Sequence, residues 1–133
     1  MSLPRLDVPA EVARDLDAGT RREWLEHDGL GGFAMGTVAG PSTRRYHALL
    51  CVATRPPLGR VVLVNRLEET LVAPDGWWAL SASFYGETVH PRGHERIEAF
   101  RLDPWPVWTL RAGARLIERA VIMTSGRQQC IVH

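Results

Sequence analysis

The sequence predicts a mostly β fold, an antiparallel sandwich or barrel, with one short helix near the N-terminus. Apolar runs that are typical of strands recur at intervals of roughly 8 to 12 residues, as in all-β domains. Turn-forming groups such as Pro74-Asp75-Gly76 separate these runs, and after Gly19 the pattern changes from helix to strand. The chain is therefore expected to be built from sheets.

The N-terminal residues predict an arm that contains the helix. Residues 1–8 are expected to be a loose arm. Proline is favoured in the first turn of a helix and glycine just after its end, so Pro9 and Gly19 predict a helix over residues 9–18. We place the boundary between this arm (residues 1–21) and a sandwich domain after residue 21.

A series of strands joined by tight turns is predicted after that boundary. Residues 46–54 are almost continuously apolar, which is typical of a strand buried on both faces. Turns are expected at Pro74-Asp75-Gly76, at Pro91-Arg92-Gly93 and at Ala112-Gly113. The predicted strands span residues 23–26, 33–39, 46–54, 60–72, 77–83, 96–102, 107–111, 116–124 and 129–133.

The last predicted strand runs to His133 without a turn or a polar tail. We expect it to be an unfinished strand, so the sandwich domain over residues 22–133 is expected to be truncated at its C-terminus. An edge strand without its partner exposes unpaired backbone groups and favours association with another chain. The sequence therefore predicts a homo-oligomer that forms through this edge.

The composition excludes several classes of function. The net charge of +1 provides no general attraction to nucleic acid or to an anionic membrane. All sixteen basic residues are arginine, so chemistry that requires lysine is excluded. Cys51 and Cys130 lie in apolar runs and are expected to be reduced core residues. The acidic N-terminus lacks the apolar segment of a signal peptide, so a cytoplasmic protein is expected.

The glycine-rich stretch before residue 41 first suggests a nucleotide site. Gly29-Leu30-Gly31-Gly32-Phe33-Ala34 matches the dinucleotide fingerprint. That fingerprint must open a helix whose N-terminus binds the pyrophosphate, whereas the residues from Gly36 to Pro41 are incompatible with a helix. The glycines are therefore interpreted as a shaped loop at which the backbone approaches a neighbour closely.

Metal and hydrolase chemistry lack a complete set of residues. His90 and His94 have the spacing of a zinc-binding pair, but Pro91 and Gly93 exclude the helix that such a pair requires. The adjacent Glu68 and Glu69 would point to opposite faces of a strand, so they do not form a catalytic carboxyl pair. No metal, no cofactor and no catalytic residue is assigned to this chain.

Several short motifs follow one another along residues 22–124. They are Glu23-Trp24-Leu25, Gly29-Leu30-Gly31-Gly32-Phe33-Ala34, Gly36-Thr37, Thr43-Arg44-Arg45-Tyr46-His47, Leu67-Glu68-Glu69-Thr70, Val89-His90-Pro91, Phe100-Arg101-Leu102-Asp103-Pro104 and Pro106-Val107-Trp108. In this order they resemble the N-terminal domain of the bacterial and archaeal type of glycogen debranching enzyme (amylo-α-1,6-glucosidase). Two departures from that family are His27-Asp28, where an uncharged Thr-Asn type pair is common, and Ala48, where glycine is usual.

The resemblance implies an antiparallel β-sandwich of the supersandwich type that precedes a catalytic (α/α) barrel. In that family the barrel hydrolyses α-1,6-glucosidic branch points of glycogen and carries the catalytic carboxylates. The chain is therefore expected to support the barrel, with α-glucan as a second partner. A purely structural interaction module without affinity for sugar is the alternative.

The residues expected to contact glucan or the barrel carry rings and guanidinium groups. Aromatic faces stack on the apolar C–H groups of sugar rings, and arginine binds carboxylates and hydroxyl oxygens. Trp77 and Trp78 point to opposite sides of their strand, so one is expected in the core and one at the surface. The contact residues are Arg45, Tyr46, His47 and Trp78, with Gly31 and Gly32 shaping the loop.

Overall fold

A computed structural model describes residues 6–133 and confirms a mostly β fold that resembles a sandwich. Strands account for 55% and helices for 10% of the structure, and the described residues form no closed barrel. Every strand pairing is antiparallel. Within these residues, no helix has the length and apolarity needed to cross a membrane.

The elements follow each other along the chain with short connections. The helices are α1 (Ala10–Ala13) and α2 (Leu16–Thr20), and a 3₁₀ helix spans Gly93–Arg96. The strands are β1 (Leu6–Pro9), β2 (Glu23–His27), β3 (Phe33–Thr37), β4 (Ala48–Arg55), β5 (Leu58–Val64), β6 (Thr70–Ala73), β7 (Gly76–Ala79), β8 (Ala82–Tyr85), β9 (Thr88–Arg92), β10 (Ile97–Leu102), β11 (Pro106–Ala112), β12 (Arg115–Met123) and β13 (Cys130–Val132).

Two larger sheets and two hairpins make up the architecture of residues 6–133. The larger sheet has the strand order β1-β10-β11-β12-β13, and the smaller sheet has the order β2-β3-β4-β5. Strands β6 and β7 form one separate hairpin, and β8 and β9 form the other. Buried residues from both sheets, among them Trp24 and Leu49 of the smaller and Phe100 and Leu110 of the larger, belong to one hydrophobic core.

Trp108 on β11 joins the two sheets at the centre of this core. Its ring lies edge-on to Trp24 of the smaller sheet, with 5.5 Å between the ring centroids, and 5.0 Å from Phe100 of its own sheet. Its indole N–H donates a 2.8 Å hydrogen bond to the carbonyl of Val38, just after β3. A buried indole N–H requires such a partner, so this contact fixes both the packing and the relative position of the sheets.

The prediction of a loose arm over residues 1–8 is wrong where the structure describes it. Residues 1–5 lie outside the described part, but Leu6–Pro9 forms β1 and pairs with β10. Val8 and Ala13 belong to the hydrophobic core, which explains why this segment is ordered against the sheet. The division into an arm (residues 1–21) and a sandwich domain stays a prediction.

The single helix predicted over residues 9–18 is instead two short helices. The side chain of Asp15 accepts a 2.7 Å hydrogen bond from the amide of Ala18, so Asp15 caps α2 and interrupts the first helix. Gly19 does not end a helix but lies buried inside α2. A Cβ at this position would lie 2.8 Å from the carbonyl oxygen of Ala13 and 2.8 Å from the Cβ of Ala39, so packing requires glycine.

The long strand predicted over residues 60–72 is also wrong, because residues 65–69 interrupt it. The backbone groups of Asn65 and Glu69 make single hydrogen bonds to other segments instead of the regular hydrogen bonds of a β-sheet. The carbonyl of Asn65 accepts from the amide of Leu49 (3.3 Å), and the carbonyl of Glu69 accepts from the amide of Leu80 (2.8 Å). The amide of Glu69 donates to Ser81 Oγ at 3.2 Å, so the chain turns away from β5 before β6 begins.

The turn predicted at Pro91-Arg92-Gly93 has a different form. Pro91 and Arg92 end β9, and Gly93 begins the 3₁₀ helix. The strand predicted over residues 77–83 is divided between β7 and β8. The β8–β9 hairpin was not predicted, although Gly86 (φ +62°) occupies the left-handed conformation that such a turn favours.

We predict that Trp108→Ala destabilises the fold far more than Trp77→Ala. Trp108 is 5% exposed whereas Trp77 is 78% exposed. Truncating a buried tryptophan costs roughly 3–5 kcal/mol of unfolding free energy, while an exposed ring contributes about 0.5 kcal/mol or less. Urea denaturation of both variants measures this difference, and equal losses would show that Trp108 does not join the sheets.

Candidate functional site

The glycine-rich stretch of the sequence is divided between two opposite ends of the smaller sheet. Residues 28–32, the glycine loop, connect β2 to β3, and residues 38–47, which end in the arginine loop (residues 42–47), connect β3 to β4. Because these strands are antiparallel, the two loops lie at the two ends of β3. Five strand residues separate the ends by roughly 15 Å. Gly31 and Gly32 therefore do not share a site with Arg45, Tyr46 and His47.

Asp28 organises the glycine loop. The residue is fully buried, and its Oδ1 accepts hydrogen bonds from the amides of Leu30 (2.7 Å) and Gly32 (3.0 Å). The Asp28 amide donates to the Gly32 carbonyl at 3.2 Å, and the Asp28 carbonyl accepts from the amide of Gly126 at 2.7 Å. Sequence reasoning did not select Asp28, although an aspartate that accepts from the backbone two residues further on is a turn-forming signal.

Gly31 and Gly32 allow the close approach that the sequence predicted for this loop. A Cβ on Gly31 would lie 2.7 Å from the carbonyl oxygen of Pro57, and its φ of +91° also disfavours other residues. A Cβ on Gly32 would lie 2.7 Å from the carbonyl oxygen of Cys51 and closer still to Asp28 Oδ2. These contacts are internal to the fold, so the glycines shape the end of the sheet.

His47 holds the arginine loop from inside. It is 1% exposed, and its Nδ1 accepts hydrogen bonds from the amides of Thr43 (2.9 Å) and Arg44 (3.2 Å). A ring nitrogen that accepts carries no proton, so the ring proton lies on Nε2. Nε2 lies 2.9 Å from Glu23 Oε1 and donates to it. His47 is thus a structural residue rather than a surface contact.

Glu23 on β2 ties the arginine loop to the smaller sheet. Its Oε1 accepts from both His47 Nε2 and Arg44 Nε. Sequence reasoning missed this role because Glu23 precedes His47 by 24 positions and no local pattern connects them. The result is a loop whose base is fixed by a buried imidazole and a shared carboxylate.

Arg45 and Tyr46 lie on the exposed side of this fixed loop. The guanidinium carbon of Arg45 lies 5.6 Å from the centroid of the Tyr46 ring, and Tyr46 is 46% exposed. A cation held over an aromatic face is favourable even at an exposed site. The pair presents a phenol ring, a hydroxyl group and guanidinium donors to solvent from one rigid position.

Trp78 lies apart from the arginine loop, against the β11–β12 turn. A Cβ on Gly113 would lie 2.9 Å from the Trp78 ring, and the guanidinium carbon of Arg115 lies 5.7 Å from the ring centroid. Trp78 is partly buried, whereas Trp77 is 78% exposed. Trp77 is therefore the more exposed ring of the two, and Trp78 packs under the surface.

The carboxylates of Glu68 and Glu69 each bind a neighbouring side chain, and they do not face each other across a cleft. Both oxygens of Glu69 accept from Arg119 Nε, at 2.9 and 2.7 Å. Glu68 Oε1 accepts from the hydroxyl of Tyr85 at 3.0 Å. These residues lie between β5 and β6, so the strand assumed for them is absent. Their side chains stabilise the surface around β8 and β12.

The described cysteines and histidines are poorly placed for nucleophilic catalysis or for metal binding. Cys51 and Cys130 are free, and burial raises the pKa of both thiols, which makes them weak nucleophiles. Burial also lowers the pKa of His94, and Arg92 adds to that shift. Within residues 6–133, no group of three or more His, Cys, Asp or Glu side chains could hold a metal ion.

The fold and these loops define a sandwich-like β domain with a rigid polar loop at one end. The sequence profile described as "Glycogen debranching enzyme N terminal" matches residues 22–133. The match covers most of the chain, and the chain belongs to this family. No curated protein and no solved structure matches it.

We predict that Gly32→Ala destabilises the fold by roughly 2 kcal/mol, because the added methyl group must displace the Cys51 carbonyl or the Asp28 carboxylate. Gly86→Ala is the matched control. No atom beyond its two chain neighbours lies within 4 Å of its added methyl group, so only the backbone strain of about 1 kcal/mol applies. Urea denaturation measures both values. A loss at Gly32 no larger than at Gly86 would contradict the close packing of the glycine loop.

Proposed function

We propose that the chain is the non-catalytic N-terminal domain of a glycogen debranching enzyme, which hydrolyses α-1,6-glucosidic branch points in glycogen. The family match supports this assignment. The proposed role of the domain is to support the catalytic (α/α) barrel and to contact the glucan. The catalytic carboxylates then belong to the barrel, and this chain requires neither a cofactor nor a metal.

The exposed Arg45–Tyr46 pair on the arginine loop carries the proposed glucan contact. The Tyr46 ring offers an apolar face for a sugar ring, and the Arg45 guanidinium donates to hydroxyl oxygens. Because His47 and Glu23 fix the loop, little conformational entropy is lost when a ligand binds. A shallow depression lined by Arg21, Glu23 and Arg44 adjoins the loop and adds further polar groups.

A structural module without affinity for sugar is the second candidate, and β5 favours it. This edge strand of the smaller sheet exposes apolar side chains along its length, with Leu58 at 69% and Leu63 at 60%. Large exposed apolar patches mark interfaces with other chains or domains. In this proposal β5 docks against the barrel, and the arginine loop adds polar contacts beside the Val64 end of β5.

Two further parts of the proposal concern the setting of the chain. We propose a cytoplasmic protein, since its two cysteines are free and glycogen is the substrate of the family. Self-association through an edge strand is proposed for β13, which lies at one edge of the larger sheet. No contact with nucleic acid or a membrane is proposed, in keeping with the net charge of +1.

We predict that Tyr46→Ala and Arg45→Ala each weaken binding of maltooligosaccharides by roughly tenfold, because each removes a stacking or hydrogen-bonding group. Isothermal titration calorimetry measures the affinities. Tyr85→Ala is the matched control, since Tyr85 is similarly exposed (50%) and also lies beside an arginine, with Arg66 at 5.2 Å from its centroid.

The outcomes separate the two candidates. Loss of affinity in the two arginine-loop variants, with Tyr85→Ala unchanged, supports glucan contact at this loop. If Tyr85→Ala loses affinity while Arg45→Ala and Tyr46→Ala keep it, the assignment of the glucan contact to the arginine loop is overturned. If the parent chain binds no sugar at millimolar concentration, the glucan contact is overturned. Binding of the chain to the separately expressed barrel then tests the structural role that is left.

A further inference from the structure

A cavity of about 130 Å³ lies between the two larger sheets and the β8–β9 hairpin. Trp24 and Leu49 of the smaller sheet and Trp108 and Leu110 of the larger sheet supply apolar lining. Apolar cavities of about 150 Å³ take up a molecule the size of benzene. The cavity is slightly smaller than this, so a compact ligand with a single ring is the largest that it can enclose.

The cavity is accessible from the surface of the protein. Five of its lining residues are solvent-exposed: Gly40, Ser42 of the arginine loop, and the consecutive Asn65, Arg66 and Leu67. Residues 65–67 belong to the segment without regular structure between β5 and β6. A ligand can enter along these residues without opening either sheet.

The charged lining of the cavity is entirely cationic. Among the described residues, Arg66 at the mouth and Arg119 deeper inside are the charged side chains that line it, and no carboxylate does. Glu69 pairs with Arg119 but does not line the cavity. Two guanidinium groups beside an apolar wall match a ligand that has an anionic group and an apolar body.

Both guanidinium groups retain donors that the rest of the described chain does not use. Arg119 donates to Glu69 through Nε alone, so its Nη1 and Nη2 make no hydrogen bond with residues 6–133. Arg66 donates to the Tyr85 hydroxyl through Nη2, and its Nε and Nη1 likewise bind no described residue. The two terminal nitrogens of a guanidinium form the fork that binds carboxylate and phosphate oxygens.

Arg119 is held in place before any ligand arrives. Its Nε is fixed by the carboxylate of Glu69 at 2.7 and 2.9 Å, and its guanidinium carbon lies 5.0 Å from the centroid of the Trp108 ring. Its side chain is only 19% exposed. A side chain that is ordered in advance loses little entropy on binding, so its free donors are suited to recognition.

We propose that this cavity binds a compact organic anion, a carboxylate or a phosphate monoester. The anionic group meets Arg119 and Arg66, and the body of the ligand packs against Trp108 and the apolar wall. This site is distinct from the Arg45–Tyr46 pair and does not depend on the proposed glucan contact.

Isothermal titration of the chain with benzoate, phenyl phosphate and benzamide tests the proposal. The three probes share a ring of benzene size, and only the first two carry a negative charge. Benzoate, phenyl phosphate or both are expected to bind at millimolar concentration, while benzamide binds much more weakly. Which anion binds more tightly identifies the carboxylate or the phosphate as the preferred group.

The variant Arg119→Met is expected to weaken binding of the anion by roughly ten- to hundredfold, the loss typical of a charge-assisted hydrogen bond. Arg115→Met is the matched control. Arg115 also lies on β12, also pairs with a carboxylate (Asp75) and also lies over a tryptophan (Trp78), but it does not line the cavity. Thermal unfolding of both variants establishes that they fold.

If Arg119→Met does not fold, Arg66→Met at the exposed mouth replaces it and is expected to weaken binding in the same direction. Equal binding of benzamide and benzoate would overturn the proposal, as would the absence of binding by both anions. Equal losses in Arg115→Met and in the cavity variant would also overturn it, because a surface effect of charge would then explain the result.

Discussion

The hydrogen bond from the Trp108 indole to the Val38 carbonyl, together with the packing of that ring, is the constraint on which the other features depend. The ring contacts Trp24 of the smaller sheet and Phe100 of the larger sheet, and Arg119 lies over it. One side chain therefore sets the spacing of the sheets, lines the cavity and positions its inner cation. Its buried indole N–H also donates to the carbonyl of Val38, the residue at which the chain leaves β3 toward the arginine loop.

The position of the arginine loop follows from this contact. Thr37, next to Val38, donates through its hydroxyl to the Pro41 carbonyl at 2.8 Å and accepts from the Gly40 amide at 3.1 Å. His47 then closes the loop from the other side and donates to Glu23. Rigidity at the exposed Arg45–Tyr46 pair is thus supplied by buried groups, each of which has its hydrogen-bond partner. A loop fixed in this way on a sheet is a suitable surface for binding a sugar or another domain.

Local patterns of the sequence predicted the features that depend on near neighbours. The apolar run that became β4 and the hairpin turn at Gly113 are encoded within a few residues. The cluster of Gly31 and Gly32 predicted a close approach to a neighbour, but the groups they approach, Pro57 and Cys51, lie far along the chain and were not predicted. The break between the two helices was also encoded locally, by Asp15 as a cap, but the pattern was interpreted as one helix.

The features that sequence reasoning missed depend on distant partners. Glu69 and Arg119 are separated by 50 positions and Val38 and Trp108 by 70, and no periodicity connects them. The interruption at residues 65–69 depends on backbone partners in β4 and near β8, so propensity alone predicts a continuous strand there. The glycine and arginine motifs were treated as one site because they adjoin in sequence, whereas an intervening strand places them at opposite ends of a sheet.

Native-state hydrogen exchange on Trp108→Phe tests most directly whether Trp108 controls the arginine loop. Phenylalanine keeps an aromatic ring in the core but cannot donate to Val38. We expect exchange to accelerate at the amide of Gly40, which bonds to Thr37, and at the amide of His47, which bonds to Arg44, by a larger factor than at the amides that pair β11 with β12. Unchanged exchange in the loop, or an equal acceleration throughout both sheets, would contradict the control of the loop by Trp108.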